Sequence, residues 1–121
     1  MPRLKTRYAA RKILPKRLID KAKTAHRIEA SSPYVTNDRI FFHDSAKVKE
    51  LFTVFDALNF ISGASSLNTL KELIDSGVVI FHVKGLHAKV VLIDESYFSM
   101  GSQNLTRRGE QNIEANVIAG D

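Results

Sequence analysis

No cysteine occurs anywhere in the 121 residues, so neither disulfides nor thiolate metal sites are available to this chain. No apolar run approaches the length of a membrane span. The stretch from Met1 to Asp20 is basic but lacks the apolar core of a secretory signal, and a cytoplasmic location is the default expectation. Internal repeats and low-complexity tracts are missing as well. So is any cluster of carboxylates of the kind a two-metal nuclease requires. What remains is ordinary for a small globular protein: 44% of residues are hydrophobic, and the length suits one small domain with room for a core.

The net charge of +5 is unevenly placed. Residues 1–27 hold ten Lys or Arg against one acid, Asp20, for a net +9, while residues 28–121 carry a net −4. The basic character therefore belongs to the N-terminal segment. Such a block suits contact with nucleic acid or anionic lipid, and it equally suits a solvated helix or tail. The division expected on this basis is a basic arm over 1–30 and a catalytic domain over 31–121.

Along the chain, Met1 to Leu14 has no decisive pattern. Pro15 can open a helix, and Leu18, Ala22 and Ala25 extend it at helical spacing from Lys16 to Ala30, where Ser31-Ser32-Pro33 breaks it. Asn37-Asp38 signals a turn and Arg39 to His43 a short strand. Asp44-Ser45 reads as a helix start, followed by Val48, Leu51, Phe52 and Phe55 at helical spacing. Leu58 to Ile61 reads as a short strand. A helix from Ser66 to Asp75 with Leu67, Leu70, Leu73 and Ile74 as its stripe ends at Gly77. Val78 to Val83 is a β-branched and aromatic strand. Strands are further predicted over His87 to Ile93, Tyr97 to Met100 and Ile113 to Ile118, with a helical turn from Asn104 or Leu105 to Gly109. The expected fold is α/β, a mixed sheet with helices packed on both faces in a single domain.

The chemistry concentrates between residues 87 and 104, in the pattern H-x-K-x4-D, six residues, G-S-x-N. Val90 to Ile93 suits a buried strand. His87 and Lys89, two apart, are expected to point the same way, and Asp94 the other way or into a turn. Gly101, Ser102 and Asn104 supply a tight backbone, a hydroxyl and an amide. An imidazole, an ammonium, a hydroxyl and an amide together form a plausible cradle for a phosphoryl group. Taken singly, a His near a strand end or a G-S-x-N is more often structural. The loop Gly63 to Ser66 leaves one element and opens a helix, so Ser65 and Ser66 are candidates for substrate contact or simply an N-capping turn.

All six positions, His87, Lys89, Asp94, Gly101, Ser102 and Asn104, match the HKD signature of the phospholipase D superfamily, and Asn112-Ile113-Glu114 resembles the N-x-E that often follows it there. The resemblance implies a layered sheet and phosphodiesterase chemistry without a metal or other cofactor. It implies that His87 attacks phosphorus to form a phosphohistidine, and that Lys89, Ser102 and Asn104 hold the non-bridging oxygens. It implies that Glu114 orients His87 through the second ring nitrogen, with Asp94 a catalytic or loop-ordering residue. Phosphodiester cleavage through a covalent intermediate also needs an acid for the leaving group, in this family a second histidine from a second motif. His26, His43 and His82 each lack a Lys two residues on, so this chain has one motif. The resemblance therefore implies a homodimer with one active site astride its two-fold axis. Members of this kind usually continue with a C-terminal helix, which implies a compact version or a fragment here.

The leading expectation is an endonuclease acting on DNA, with RNA or single strands as alternatives. A non-catalytic nucleic-acid-binding module and a phospholipase or phosphatidyltransferase are the competing readings. The latter usually carry two motifs and often membrane segments.

Overall fold

The computed structural model describes residues 5–10, 20–36, 42, 44–95, 97–101, 105–106 and 115–120. Among the described residues there are seven strands: β1 (Lys5–Ala10), β2 (Arg27–Ser31), β3 (Val48–Thr53), β4 (Val79–His82), β5 (Val90–Ile93), β6 (Tyr97–Gly101) and β7 (Ala115–Gly120). Two helices, α1 (Ala57–Ser62) and α2 (Leu67–Asp75), connect β3 to β4. The strands form one mixed sheet in the order β1-β7-β6-β5-β2-β3-β4. The expected class, a single small α/β domain on a mixed sheet, is what the chain adopts.

β2 is the pivot of that sheet. It pairs in parallel with β3, with Ala30 opposite Leu51. On its other side it pairs antiparallel with β5, with Ala30 opposite Val91. β3 continues the parallel half to β4, and β5, β6, β7 and β1 form an antiparallel half. One face of the sheet is closed: Ile28 and Ala30, Leu51, Val91 and Ile93, and Tyr97 are buried there, in one core with Ala22, Leu70 and Leu73. The opposite face is half covered. Phe52 and Phe81 stack on it with ring centroids 4.9 Å apart, and Leu92 and Met100 are exposed beside them.

α2 forms as its pattern predicts. Ser66 caps it by accepting from the Thr69 N–H at 3.1 Å, and Leu70 and Leu73 are its buried stripe. The βαβ crossover is also present, but its first strand is β3, not Leu58 to Ile61.

Four expectations are overturned. Arg27–Ser31 is an interior strand of the sheet, not the end of a helix, although Asp20 to Ala22 are helical. β1 and all but the last residue of β2 fall within residues 1–30 and pair in the same sheet as the rest. Val48–Thr53 is a strand. Its residues at 48, 51 and 52 satisfy a helical period, but Leu51 and Thr53 face the core while Val48 and Phe52 are half-buried on the other side. A strand with apolar residues on both faces has no clean alternation to read. Lys49, a charged residue at a core-facing position, hid the alternation further. Leu58 to Ile61 lies in a helix, stopped by Gly63 in the left-handed region at φ 82°. Finally, β5 begins at Val90, so His87 and Lys89 precede the strand. The predicted strand at 39–43 and most of the turn at 104–109 fall outside the described residues, although Leu105 itself forms a parallel bridge with Val35.

Lys49 resolves its own burial locally. Its stem lies in the core and its ammonium donates to the Ser76 carbonyl at 2.7 Å, at the end of α2 where carbonyls lack helical partners and carry partial negative charge. The Asp44 carboxylate 3.9 Å away is exposed and adds little. Lys49→Met, which keeps the apolar stem, should cost about 1 kcal/mol, and Lys49→Ala about 3 kcal/mol. Urea unfolding measures both, and equal losses would show that the stem does not pack.

Candidate active site

The carboxyl ends of the parallel strands and the entry to β5 meet at one end of the sheet, the end where open α/β sheets bind ligands. β2 finishes there at Ser31, β3 at Thr53 and β4 at His82, and β6 arrives at Gly101. His87 and Lys89 sit in the irregular stretch that carries the chain from β4 into β5. His87 is exposed and Lys89 half-buried. The Lys89 ammonium donates to the His87 carbonyl at 3.1 Å, and the Gly101 N–H donates to the Lys89 carbonyl at 3.2 Å. Three of the six signature positions, His87, Lys89 and Gly101, are thus brought together. Ser102, Asn104 and Glu114 lie outside the described residues.

Two serines that sequence reasoning used only as helix breakers position this arrangement. The Ser31 hydroxyl donates to the Ala88 carbonyl at 3.0 Å, tying the residue between His87 and Lys89 to the end of β2. The fully buried Ser32 hydroxyl donates to the Tyr34 carbonyl at 2.7 Å and accepts from the Leu105 N–H at 3.1 Å. Leu105 directly follows the G-S-x-N. Both halves of the signature are therefore fastened to two consecutive residues at the carboxyl end of β2. The only sequence cue was the pair of hydroxyls before Pro33, which signals a turn as readily as a support.

Asp94 is not in this group. It occupies the turn after β5, the opposite end of that strand, ~16 Å of extended chain from Lys89. Its φ of 54° places it in the left-handed region, which Asp tolerates better than most residues. Its carboxylate accepts from the His26 and Arg27 N–H groups at 2.9 and 3.0 Å, and its own N–H donates to the Arg27 carbonyl at 2.8 Å. Of the two orientations expected for Asp94, the following turn is the one observed, and its contacts hold the β5–β6 turn against the start of β2.

Ser65 and Ser66 are likewise engaged by the fold. The buried Ser65 hydroxyl accepts from the Val35 N–H at 3.0 Å, the Ser66 N–H donates to the Val35 carbonyl at 2.8 Å, and the Ser66 hydroxyl caps α2. The Gly63–Ser66 loop is therefore a tie between α2 and the segment after β2, the capping alternative of the two readings. His82 stands at the same end of the sheet. Its Nδ1 accepts from the Phe55 N–H at 2.9 Å, which assigns the proton of the neutral ring to Nε2.

The basic residues of the N-terminal stretch divide into engaged and unaccounted groups. Arg27 pairs with Glu29 and with Glu50 at 2.8 Å. The hydrogen bond that the guanidinium donates to Glu29 is the main cause that raises it above its ordinary pKa, with Glu50 adding to it. Lys21 lies 5.7 Å from the Tyr97 ring centroid, and Lys23 pairs with Asp20 at 3.8 Å. These cations have protein partners. β1 lies at the sheet edge with Ala9 and Gly101 both in register with Asn116, so the backbone of the N-terminal strand ends level with the site. Among the described residues, no helix is long and apolar enough to cross a membrane.

Two substitutions separate support from chemistry. Asp94→Ala removes two charge-assisted bonds and should cost about 2 kcal/mol of stability, while lowering kcat far less than His87→Ala. Equal losses of kcat would place Asp94 in the reaction. Ser31→Ala should leave unfolding midpoints within a few degrees yet reduce kcat/KM about tenfold, because the histidine segment loses its tether. An unchanged kcat/KM would show that the tether is dispensable.

The pattern of the family described as "Cardiolipin synthase, PLD-like domain" matches residues 16–121. No curated protein sequence matches the chain. Among solved structures, the fold is similar to NucT from Helicobacter pylori, at 18% identity and a TM-score of 0.71, over 98% of this chain and 87% of that one. It is similar to the phospholipase D family member Nuc from Salmonella typhimurium, at 15% identity and a TM-score of 0.74, over 98% and 84%. The archaeal chromatin protein TrmBL2, whose structure shows a novel mode of DNA binding, is matched at 11% identity and a TM-score of 0.59, over 96% of this chain and 45% of that one. With an intact His-x-Lys at the carboxyl end of its sheet, the chain belongs to the phospholipase D superfamily of phosphodiesterases, as a member with a single motif.

Proposed function

We propose that this chain is a metal-independent endonuclease that cleaves DNA through a phosphohistidine on His87, in an active site shared by two copies. The observation that carries this reading is an exposed His87 beside Lys89 at the carboxyl end of the sheet, in a chain with no second His-x-Lys. The imidazole is open to a large substrate, and the neighbouring cation can hold the phosphate against it. His87 of one protomer attacks phosphorus as the P–O bond to the leaving strand breaks. His87 of its partner protonates that leaving oxygen, then takes a proton from the water that releases the phosphohistidine. Lys89, with Ser102 and Asn104, balances charge on the non-bridging oxygens, and Glu114 orients the His87 ring. Asp94 acts at a distance, through the turn it holds.

Three features favour nucleic acid over lipid as the ester. The likeness extends over 87% of NucT and 84% of Nuc, most of the length of each. The N-terminal stretch is strongly basic, and β1 ends level with the site. The neighbour TrmBL2 is a DNA-binding protein, which also keeps alive a second reading, a module that binds DNA without cutting it.

The test is cleavage of supercoiled plasmid in excess EDTA at low salt. Wild type should nick or linearise the plasmid, with His87→Ala at least 1,000-fold slower, on the order of 4 kcal/mol. Raising salt from 50 to 200 mM should weaken binding steeply. Binding with no cleavage by either protein would support the module instead, and neither activity would turn attention to lipid esters.

A further inference from the structure

α1 turns a largely aliphatic side to solvent. None of its six residues is buried, and Leu58 and Ile61 are 72% and 81% exposed. They are three residues apart and so share one side of the helix. A helix this short does not hold itself together in water. Here it is held by its ends: the Asp56 carboxylate accepts from the Leu58 N–H at 2.9 Å, and Gly63 closes the last turn. Phe60 packs partly against the core. The structure thus presents an aliphatic surface to solvent. Phe55, 41% exposed, lies next to it, with its ring 5.7 Å from that of Phe60.

This surface stands at the active-site end of the sheet. The chain enters α1 from Phe55, whose N–H is tied to His82 at the end of β4, and leaves it at Ser65, which is tied to Val35 just beyond β2. His87 is fastened to the end of that same β2 through Ala88 and Ser31.

The chemistry of the surface selects its occupant. From Val54 to Leu70 there is no Lys or Arg, and Asp56 is the single acid. Tracking a polynucleotide needs cations along the path, and so does an anionic bilayer. An uncharged aliphatic side is matched by another of its kind. The proposal rests on the shared-site reading: with one His87 per chain, the two-fold axis must pass close to His87, and a surface near that axis meets its own copy.

We propose that the Leu58–Ile61 side of α1, with Phe55 beside it, packs against the same surface of a second copy and brings two His87 side chains to one phosphodiester. The contact makes the protein a dimer and completes its active site in one step.

Sedimentation equilibrium and plasmid cleavage on the full chain test this together. The pair of substitutions Leu58→Asp and Ile61→Asp should raise the dimer dissociation constant at least 100-fold and abolish cleavage at low protein concentration. Cleavage should recover as the concentration rises. The melting temperature should stay within a few degrees, because both side chains are exposed within one chain. Asparagine at both positions replaces aspartate should the charged pair impair folding. Ile74→Asp, exposed at the far end of α2, should behave as wild type. A doubly substituted protein that remains a dimer and cleaves normally would overturn the α1 interface while leaving the shared site standing. A dimer that has lost DNA binding would assign α1 to the nucleic acid instead. An active wild-type monomer would overturn both the interface and the shared-site reading.

Discussion

The carboxyl end of β2 is the fixed point on which the site depends. Two adjacent hydroxyls there, on Ser31 and Ser32, hold the two segments that carry the phosphodiesterase signature. The segments are far apart in sequence, and nothing local would bring them together. β2 can serve as an anchor because it has a partner on each side, parallel on one and antiparallel on the other, and because Ile28 and Ala30 lock it into the core. A buried serine with both of its hydrogen-bonding roles filled is stiffer than an exposed one, since loosening it would leave polar groups without partners.

β5 is consequently held at both ends. Ser31 grips Ala88 before the strand, and Asp94 grips the backbone of His26 and Arg27 after it. Both grips fall on β2, at its opposite ends. The four residues between Lys89 and Asp94 in the signature are the length of β5 itself. The spacing then has a mechanical reading: a strand of fixed length is clamped to its neighbour at each end, with the histidine just beyond one clamp. Asp94 contributes by fixing the far clamp, which also accounts for the left-handed backbone it adopts.

How much of this was legible in the sequence differs by feature. The family signature was legible because it fixes particular side chains at particular spacings, and His87, Lys89 and Gly101 lie together, with His87 and Lys89 just ahead of β5 and not within it. The α2 helix was legible because one face is apolar and its limits are marked by Ser66 and Gly77, and β4 because Val79, Ile80 and Phe81 are a β-branched and aromatic run just after Gly77. β3 was not, because a strand buried on one face and half-buried on the other shows no alternation. Its one core-facing charge, Lys49, finds a partner only once α2 has folded beside it. The Leu58–Ile61 run was read as a strand because apolar residues normally signal burial, and here they are exposed. Asp56 and Gly63 bracket the short helix as its N-cap and its left-handed closing residue. Ser31 and Ser32 were unreadable as supports, since their partners Ala88 and Leu105 are distant backbone groups that no side-chain pattern reveals.

The arrangement divides rigidity from access. On the proposed reading His87 must reach phosphorus within a long polymer, so it has to project from the protein, and an exposed side chain is free to wander. Placing His87 outside the strand provides the access, while the Ser31 tether one residue away limits the wandering. Lys89 bends back to the His87 carbonyl, so its charge is directed at the backbone of the residue beside which the proposed reaction would take place. An incoming phosphate competes for that ammonium with a stronger, fully charged acceptor. The carbonyl contact thus keeps the lysine beside the histidine until substrate arrives, and gives it up at little cost.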